Sequence, residues 1–178
     1  MQQGAGTIIE TDDDNFPTAA FWNDRTPKRT CRLTAEERWI NVYRYYTAEN
    51  IWPRGFALEH LRDDIIPLGN PVERVYCPIQ QGLCDENPDV DAIHRLAMSG
   101  VTTFSRSGNI ALGRGSWCPF NSQNTTWFRE AFPLMYLPSR CSFRMTDIWR
   151  SYVAQRIAWT NGWSVLFHDA NVFQQRNE

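Results

Sequence analysis

The sequence predicts an α/β fold, and three observations carry that expectation. Short runs of apolar and β-branched residues read as strands, among them Thr7-Ile8-Ile9 and Trp163-Ser164-Val165-Leu166-Phe167. Other stretches place apolar residues at helical spacing, and long irregular connections separate the two kinds of segment. The 178 residues are 42% hydrophobic and 13% aromatic, enough for one well-filled core, so a single domain over residues 1–178 is expected.

Taken in order, Thr7-Ile8-Ile9 is a short buried strand that runs directly into Asp12, Asp13, Asp14 and Asn15. Residues 15–34 contain two prolines and four basic side chains and read as an irregular surface loop. Thr34-Ala35-Glu36-Glu37 has the pattern of a capping box, and the aromatic stretch after it predicts a helical turn followed by an extended segment. Trp52-Pro53-Arg54-Gly55 cannot lie inside a regular element and predicts a defined turn that presents Arg54. Val72 to Ile79 reads as a strand ending at Gln80-Gln81-Gly82, and Pro88-Asp89-Val90-Asp91 as the acidic start of a helix carrying Val90, Ile93 and Ala97 on one face. Asn124 is expected to cap a second helix through Met135, shortened or kinked by Pro133. Thr146 caps a third, Asp147 to about Thr160, with Trp149, Tyr152, Val153 and Ile157 as its apolar stripe, and Gly162 stops it. The closing strand then delivers His168 and Asp169 to its end.

Several function classes are disfavoured. A formal net charge of −2, with Lys and Arg dispersed along the chain, gives no general attraction to a nucleic-acid backbone. No apolar run approaches the roughly 20 residues of a membrane span. Five cysteines lack a C-x-x-C pair, and only three histidines accompany them, which argues against a zinc site; Cys77 and Cys84 read equally as a disulfide or as buried thiols. Asn124-Thr125-Thr126 matches a glycosylation acceptor, a frequent chance match.

Two clusters carry candidate chemistry. Three consecutive aspartates after an apolar strand repel one another, and a divalent cation with oxygen ligands, Mg²⁺ or Mn²⁺, relieves that repulsion while leaving positions for phosphate oxygens; the competing reading is a solvated acidic turn. In Phe143-Arg144-Met145-Thr146-Asp147-Ile148-Trp149-Arg150, Asp147 and Arg150 are neighbours on a helix. They form a surface ion pair, or else Asp147 faces sugar hydroxyls from a helix N-terminus while Arg144 or Arg150 faces phosphate. Most of the tryptophans belong to the core, with one available to stack on a sugar ring.

Ordered blocks give these residues a wider context: Gln3-Gly4-Ala5 with Ile8-Ile9-Glu10-Thr11-Asp12-Asp13, Trp52-Pro53-Arg54-Gly55-Phe56, Ile79-Gln80-Gln81-Gly82 with Pro88-Asp89-Val90-Asp91, Pro119-Phe120-Asn121-Ser122-Gln123-Asn124-Thr125 with Leu137-Pro138, and Thr146-Asp147-Ile148-Trp149-Arg150-Ser151-Tyr152 with Gln155-Arg156. Together they resemble the glycosyltransferase-like domain of the STELLO proteins. The resemblance implies a GT-A-type nucleotide-diphospho-sugar transferase fold, a mixed sheet flanked by helices, with an acidic metal motif at the end of a central strand. In that fold about half of the nucleotide-binding region precedes the motif, a portion this sequence does not contain.

By that resemblance the metal falls on Asp12, Asp13 and Asp14, in a register left open between Glu10-Asp12-Asp13 and Asp12-Asp14. Asp147 becomes the catalytic carboxylate, and Arg54, Gln81, Asn124, Arg144, Trp149 and Arg150 become substrate-binding. The partners implied are a nucleotide-sugar donor and an acceptor, and the setting is the Golgi for a longer, membrane-anchored form. The alternative is a non-catalytic carbohydrate- or partner-binding module derived from such a transferase.

Overall fold

The strands and helices of the chain are described by a computed structural model over residues 4–98 and 100–175. In chain order the strands are β1 (Thr7–Thr11), β2 (Asn15–Pro17), β3 (Lys28–Thr34), β4 (Arg38–Trp39), β5 (Val72–Tyr76), β6 (Ile79–Asp85), β7 (Ile110–Leu112), β8 (Ser116–Trp117), β9 (Asn124–Phe128) and β10 (Val165–Gln174). The two α-helices are α1 (Ala92–Ala97) and α2 (Thr146–Thr160). The main sheet runs β1-β9-β6-β10-β7-β3-β5, with β2 paired to the far end of β10, while β4 and β8 form a small sheet of their own. It is mixed: β6 and β10 are parallel, as are β3 and β7, and the other pairs are antiparallel.

The period-two alternation of strand side chains sorts the core onto two faces. Val165 and Phe167 of β10 join Ile79, Leu83, Ile110, Leu112 and Trp127 in one cluster, which Val42, Tyr46, Phe120 and Ala154 close from above. Leu166, between them in sequence, packs on the other face with Ala111, Cys31 and Cys77. All five cysteines are free thiols, so Cys77 and Cys84 are not bridged.

The predicted turn at Trp52-Pro53-Arg54-Gly55 is present: Pro53 bridges to Val90, and Gly55 has a φ of +84°, a conformation that glycine adopts without strain. The structure corrects several other expectations. Residues 15–34 contain β2, a 3₁₀ turn at Ala19–Trp22 and the seven-residue strand β3 in place of a loop. After Thr34 the extended pair β4 comes first and the 3₁₀ turn Val42–Tyr45 second, the reverse of the predicted order. The strand expected over 72–79 breaks at Cys77-Pro78, because Pro78 has no amide hydrogen to give, and Gln80-Gln81-Gly82 lies inside the central strand β6. Asp91, not the Pro88 turn, caps the short α1 by accepting from the Ile93 amide. Asn124–Phe128 is a fully buried strand, and only the 3₁₀ segment Arg129–Met135, holding Pro133, follows it.

The third helix is present, with its faces exchanged. Trp149, Val153 and Ile157 point outward, at 52%, 58% and 39% exposure, while Ile148, Ser151, Ala154, Gln155 and Ala158 face the sheet. The inner face can be small and polar because Gln155 Oε1 accepts from the Cys118 amide and its Nε2 donates to Ser151 O, so no buried amide atom is wasted. Thr146 Oγ1 donates to Phe143 O and makes no cap to the helix. His168 and Asp169 sit within β10, which continues past them through an irregularity to Gln174. No helix among the described residues is long and apolar enough to cross a membrane.

Candidate functional site

Three separated segments deliver carboxylates to one place, and a fourth brings an amide. Asp12 follows β1, an edge strand among the described residues, and is fixed by its amide donating to Gln123 O at 3.2 Å. Asp89 precedes α1, Asp147 opens α2, and Gln174 ends β10. With Arg54, Arg95 and Gln123 they line a cavity of about 80 Å³.

Arg54 is its organising cation. Its Nε and Nη2 grip Asp89, at 2.9 Å to Oδ1 and 2.7 Å to Oδ2, and its Nη1 and Nη2 donate to the two Asp147 oxygens at 3.2 and 2.8 Å. A further donation from Nη1 to Arg144 O ties the guanidinium to the turn before α2. This two-sided bidentate arrangement is available to a planar guanidinium and not to an ammonium. Burial works to lower the pKa of Arg54, and its hydrogen bonds to Asp89 and Asp147 outweigh that and hold it well above the usual range.

Asp147 also accepts from the Ser122 amide at 3.2 Å and the Ile148 amide at 3.0 Å. Among the described residues Asp12 has no guanidinium of its own. Gln174 Nε2 donates to Asp14 Oδ1 at 2.6 Å and reaches Asp12 Oδ2 at 3.4 Å. The Asp12 carboxyl is pushed up to about 6, first by burial and then by Asp14, Asp89, Asp147 and Asp13 in turn. Gln174 is buried, and its Oε1 has no hydrogen-bond partner among the described residues. Carboxylates therefore crowd around Asp12, with that amide oxygen nearby.

The other residues singled out in the sequence are distributed as follows. Asp13 is exposed next to Asp12 in the chain, Arg144 is exposed just before α2, and Trp149 is exposed on the outer face of that helix. Arg150 is 3% exposed and forms no pair with Asp147; it turns inward, donating to Glu10 Oε1 at 2.9 Å and Ser122 Oγ at 3.0 Å, over the Trp127 ring at 4.9 Å. Glu10 in turn accepts from Trp127 Nε1 at 3.1 Å. Gln81 accepts from the Asn121 amide and Thr125 Oγ1 and donates to Asn124 O and Gly82 O; Asn124 donates to Asn171 Oδ1 and Leu83 O. Both amides hold the sheet beneath the site and lie buried within it. The burial of Asn124 also removes it as a glycosylation acceptor in the folded chain.

Asp89, Arg95, Gln123 and Gln174 are the lining residues to which the sequence reading gave no role. Asp89 stood in an apparent helix start, where an acid is ordinary, and a lone glutamine near the end of a strand carries no signal. Among the described residues no group of three or more His, Cys, Asp or Glu side chains is gathered closely enough to hold a metal ion.

No protein-family model matches the chain. It is similar to two curated proteins of Arabidopsis thaliana. One is "Probable glycosyltransferase STELLO2", at 31% identity over 144 residues, covering 75% of this chain and 18% of that protein. The other is "Probable glycosyltransferase STELLO1", at 30% identity over 132 residues, covering 69% of this chain and 17% of that protein. The chain thus spans less than a fifth of the length of these relatives.

Proposed function

Because this chain belongs to a STELLO-like family, we propose that it forms part of a metal-dependent glycosyltransferase of GT-A type that takes a nucleotide-diphospho-sugar donor, and that the Arg54 cavity is where the diphosphate and the sugar meet. The observation that carries this reading is the crowding of Asp12 by the Asp14, Asp89 and Asp147 carboxylates, with Gln174 Oε1 nearby and without a hydrogen-bond partner among the described residues. The donor set consists of hard oxygens, which fits Mg²⁺ or Mn²⁺ held by Asp12, Asp14 and the Gln174 amide, with Asp13 at the rim. Such an ion, when bound, supplies charge neutralisation for the departing diphosphate.

The chain's own residues do the rest. Arg54 presents a planar fork whose present partners are carboxylates, and an arriving diphosphate competes for the same donors. Asp147 is the acceptor-side carboxylate in this reading. Arg54 and the Ser122 and Ile148 amides donate to it, and transfer of the fork to phosphate removes the Arg54 donors and frees its oxygens to accept from an acceptor hydroxyl. Trp149, half exposed on the outer face of α2, offers a ring for sugar stacking, and Arg144 adds positive charge near the start of that helix.

A second reading, a module that binds carbohydrate or a protein partner without turnover, draws support from Arg54 itself, which fills the space between Asp89 and Asp147 with a side chain. Calorimetry with UDP separates the two. The transferase reading expects binding that requires Mn²⁺ and is lost in Asp14→Asn; UDP that ignores Mn²⁺, or that binds the variant as well as the wild type, overturns it.

A further inference from the structure

The segment from Ala20 to Arg29 arches over the β6/β10 pair and encloses a second cavity, of about 250 Å³, which shares no lining residue with the acidic one. We propose that this cavity binds a compact hydroxylated anion, a sugar bearing a phosphate or carboxylate group, with Arg29 and Arg25 holding the charge and Gln80 and His168 accepting from the hydroxyls. The volume lies below the roughly 300–1,000 Å³ of sites for drug-sized ligands and suits a monosaccharide derivative.

Three guanidiniums line it, and they are engaged unequally. Arg106 is anchored at the rim, its Nη2 donating to Asp85 Oδ2 at 2.8 Å. Arg25 lies over the Phe21 ring at 4.8 Å and reaches only a main-chain oxygen, Asn23 O, at 3.5 Å. The Arg29 guanidinium has neither a hydrogen bond nor an ion pair among the described residues. Burial, then the charge of Arg29, lowers the pKa of Arg25, so these two cations are crowded against each other. Asp24 and Asp169 also line the cavity, and Asp169 Oδ1 is taken by the Gly108 amide at 2.8 Å.

The neutral groups supply what a bare phosphate would not need. Gln80 is 1% exposed and gives Nε2 to Thr26 O at 2.8 Å and Cys77 O at 3.0 Å, which leaves its Oε1 as an acceptor. Burial lowers the pKa of His168 to about 4, so the ring is neutral at ordinary pH; with Nδ1 on Asp169 O at 2.9 Å, Nε2 remains as a second acceptor. Guanidinium donors beside two unpaired acceptors match a ligand that carries both an anionic group and hydroxyls.

The test is titration of the chain with α-D-glucose 1-phosphate, D-glucuronate and inorganic phosphate, read by calorimetry and by the ring-proton resonances of its three histidines. Saturable binding of one or both sugars is expected, with the His168 resonance moving while those of His60 and His94 stay in place. Affinity should fall at least tenfold in Arg29→Gln and recover in large part in Arg29→Lys. Tighter binding of the phosphate ester or of the uronate identifies which anion the site takes. Asp12→Asn should bind the same sugars unchanged, so failure of the transferase reading leaves this result standing. The proposal is overturned by no saturable binding of either sugar, by an unmoved His168 resonance, by undiminished affinity in Arg29→Gln, or by inorganic phosphate binding as tightly as the sugars.

Discussion

Replacing Asp12 by Asn should make the protein more stable at neutral pH, the opposite of what most substitutions in a folded domain do. Asp12 ordinarily titrates near 3.8, and in the fold its pKa is raised to about 6, so folding disfavours its charged form. Below about pH 4 the carboxyl is protonated in folded and unfolded chains alike and costs nothing. As pH rises from about 4 to about 6 the unfolded chain releases this proton first, and the folded state loses relative stability over that window; above it the cost is constant. Each pKa unit corresponds to about 1.4 kcal/mol, and because the side chain is only half-buried, screening reduces the total to on the order of 1 kcal/mol. Asn is nearly isosteric and keeps an oxygen for the Gln174 amide. Urea unfolding followed by tryptophan fluorescence at about pH 4 and about pH 7.5 should show the variant level with the wild type at the lower pH and more stable at the higher one. An Asp12→Asn protein less stable at neutral pH, or one with the same difference at both, would refute the charge-crowding argument.

Other perturbations probe separate parts of the molecule. Arg150→Ala leaves Glu10 without its buried partner and uncovers Trp127, and should cost roughly 3–5 kcal/mol in chemical denaturation, whereas an Arg150→Met, Glu10→Gln double variant should recover much of that. Gly55→Ala forces a side chain into positive φ and drives its Cβ against Ile148 Cγ2, so a loss of roughly 1–3 kcal/mol is expected, together with weaker nucleotide binding as Arg54 shifts. Val153→Ser on the outward face of α2 should change stability by less than about 0.5 kcal/mol, while Ala154→Leu, one residue on, should overpack the core and cost about 1–3 kcal/mol in the same assay.

What the sequence discloses here follows from how local the responsible physics is. The Arg54 turn was legible because proline and glycine restrict backbone geometry by themselves, and the extent of α2 because its length and the glycine after it are local signals. The orientation of α2 was not. Its large residues suggested an inward stripe, yet the sheet side is already filled by Trp127, Phe120 and Phe167 and takes mostly small or hydrogen-bonded side chains, Ser151, Ala154, Gln155 and Ala158, with Ile148. Asn124-Thr125-Thr126 looked like a helix cap, whereas the two threonines and the aromatic pair after them belong to a buried strand whose polar groups are satisfied by residues roughly 40 positions away. At the site, the acidic run and Arg54 with Asp147 were singled out separately. Their convergence with Asp89 and Gln174 depends on where β10 ends and where the Pro88 turn falls, which no short window of sequence contains.

Asp14 and Gln174 meet across 160 positions of chain, so anything that grips both closes nearly the whole polypeptide into a ring. Such a ligand acts as a reversible clasp: the entropy released when that ring opens must be regained before it can bind again. Peeling β2 from the tail of β10 empties the clasp and leaves the central strands paired, so occupancy there reports on the seam between β2 and β10 well before it reports on the collapse of the core.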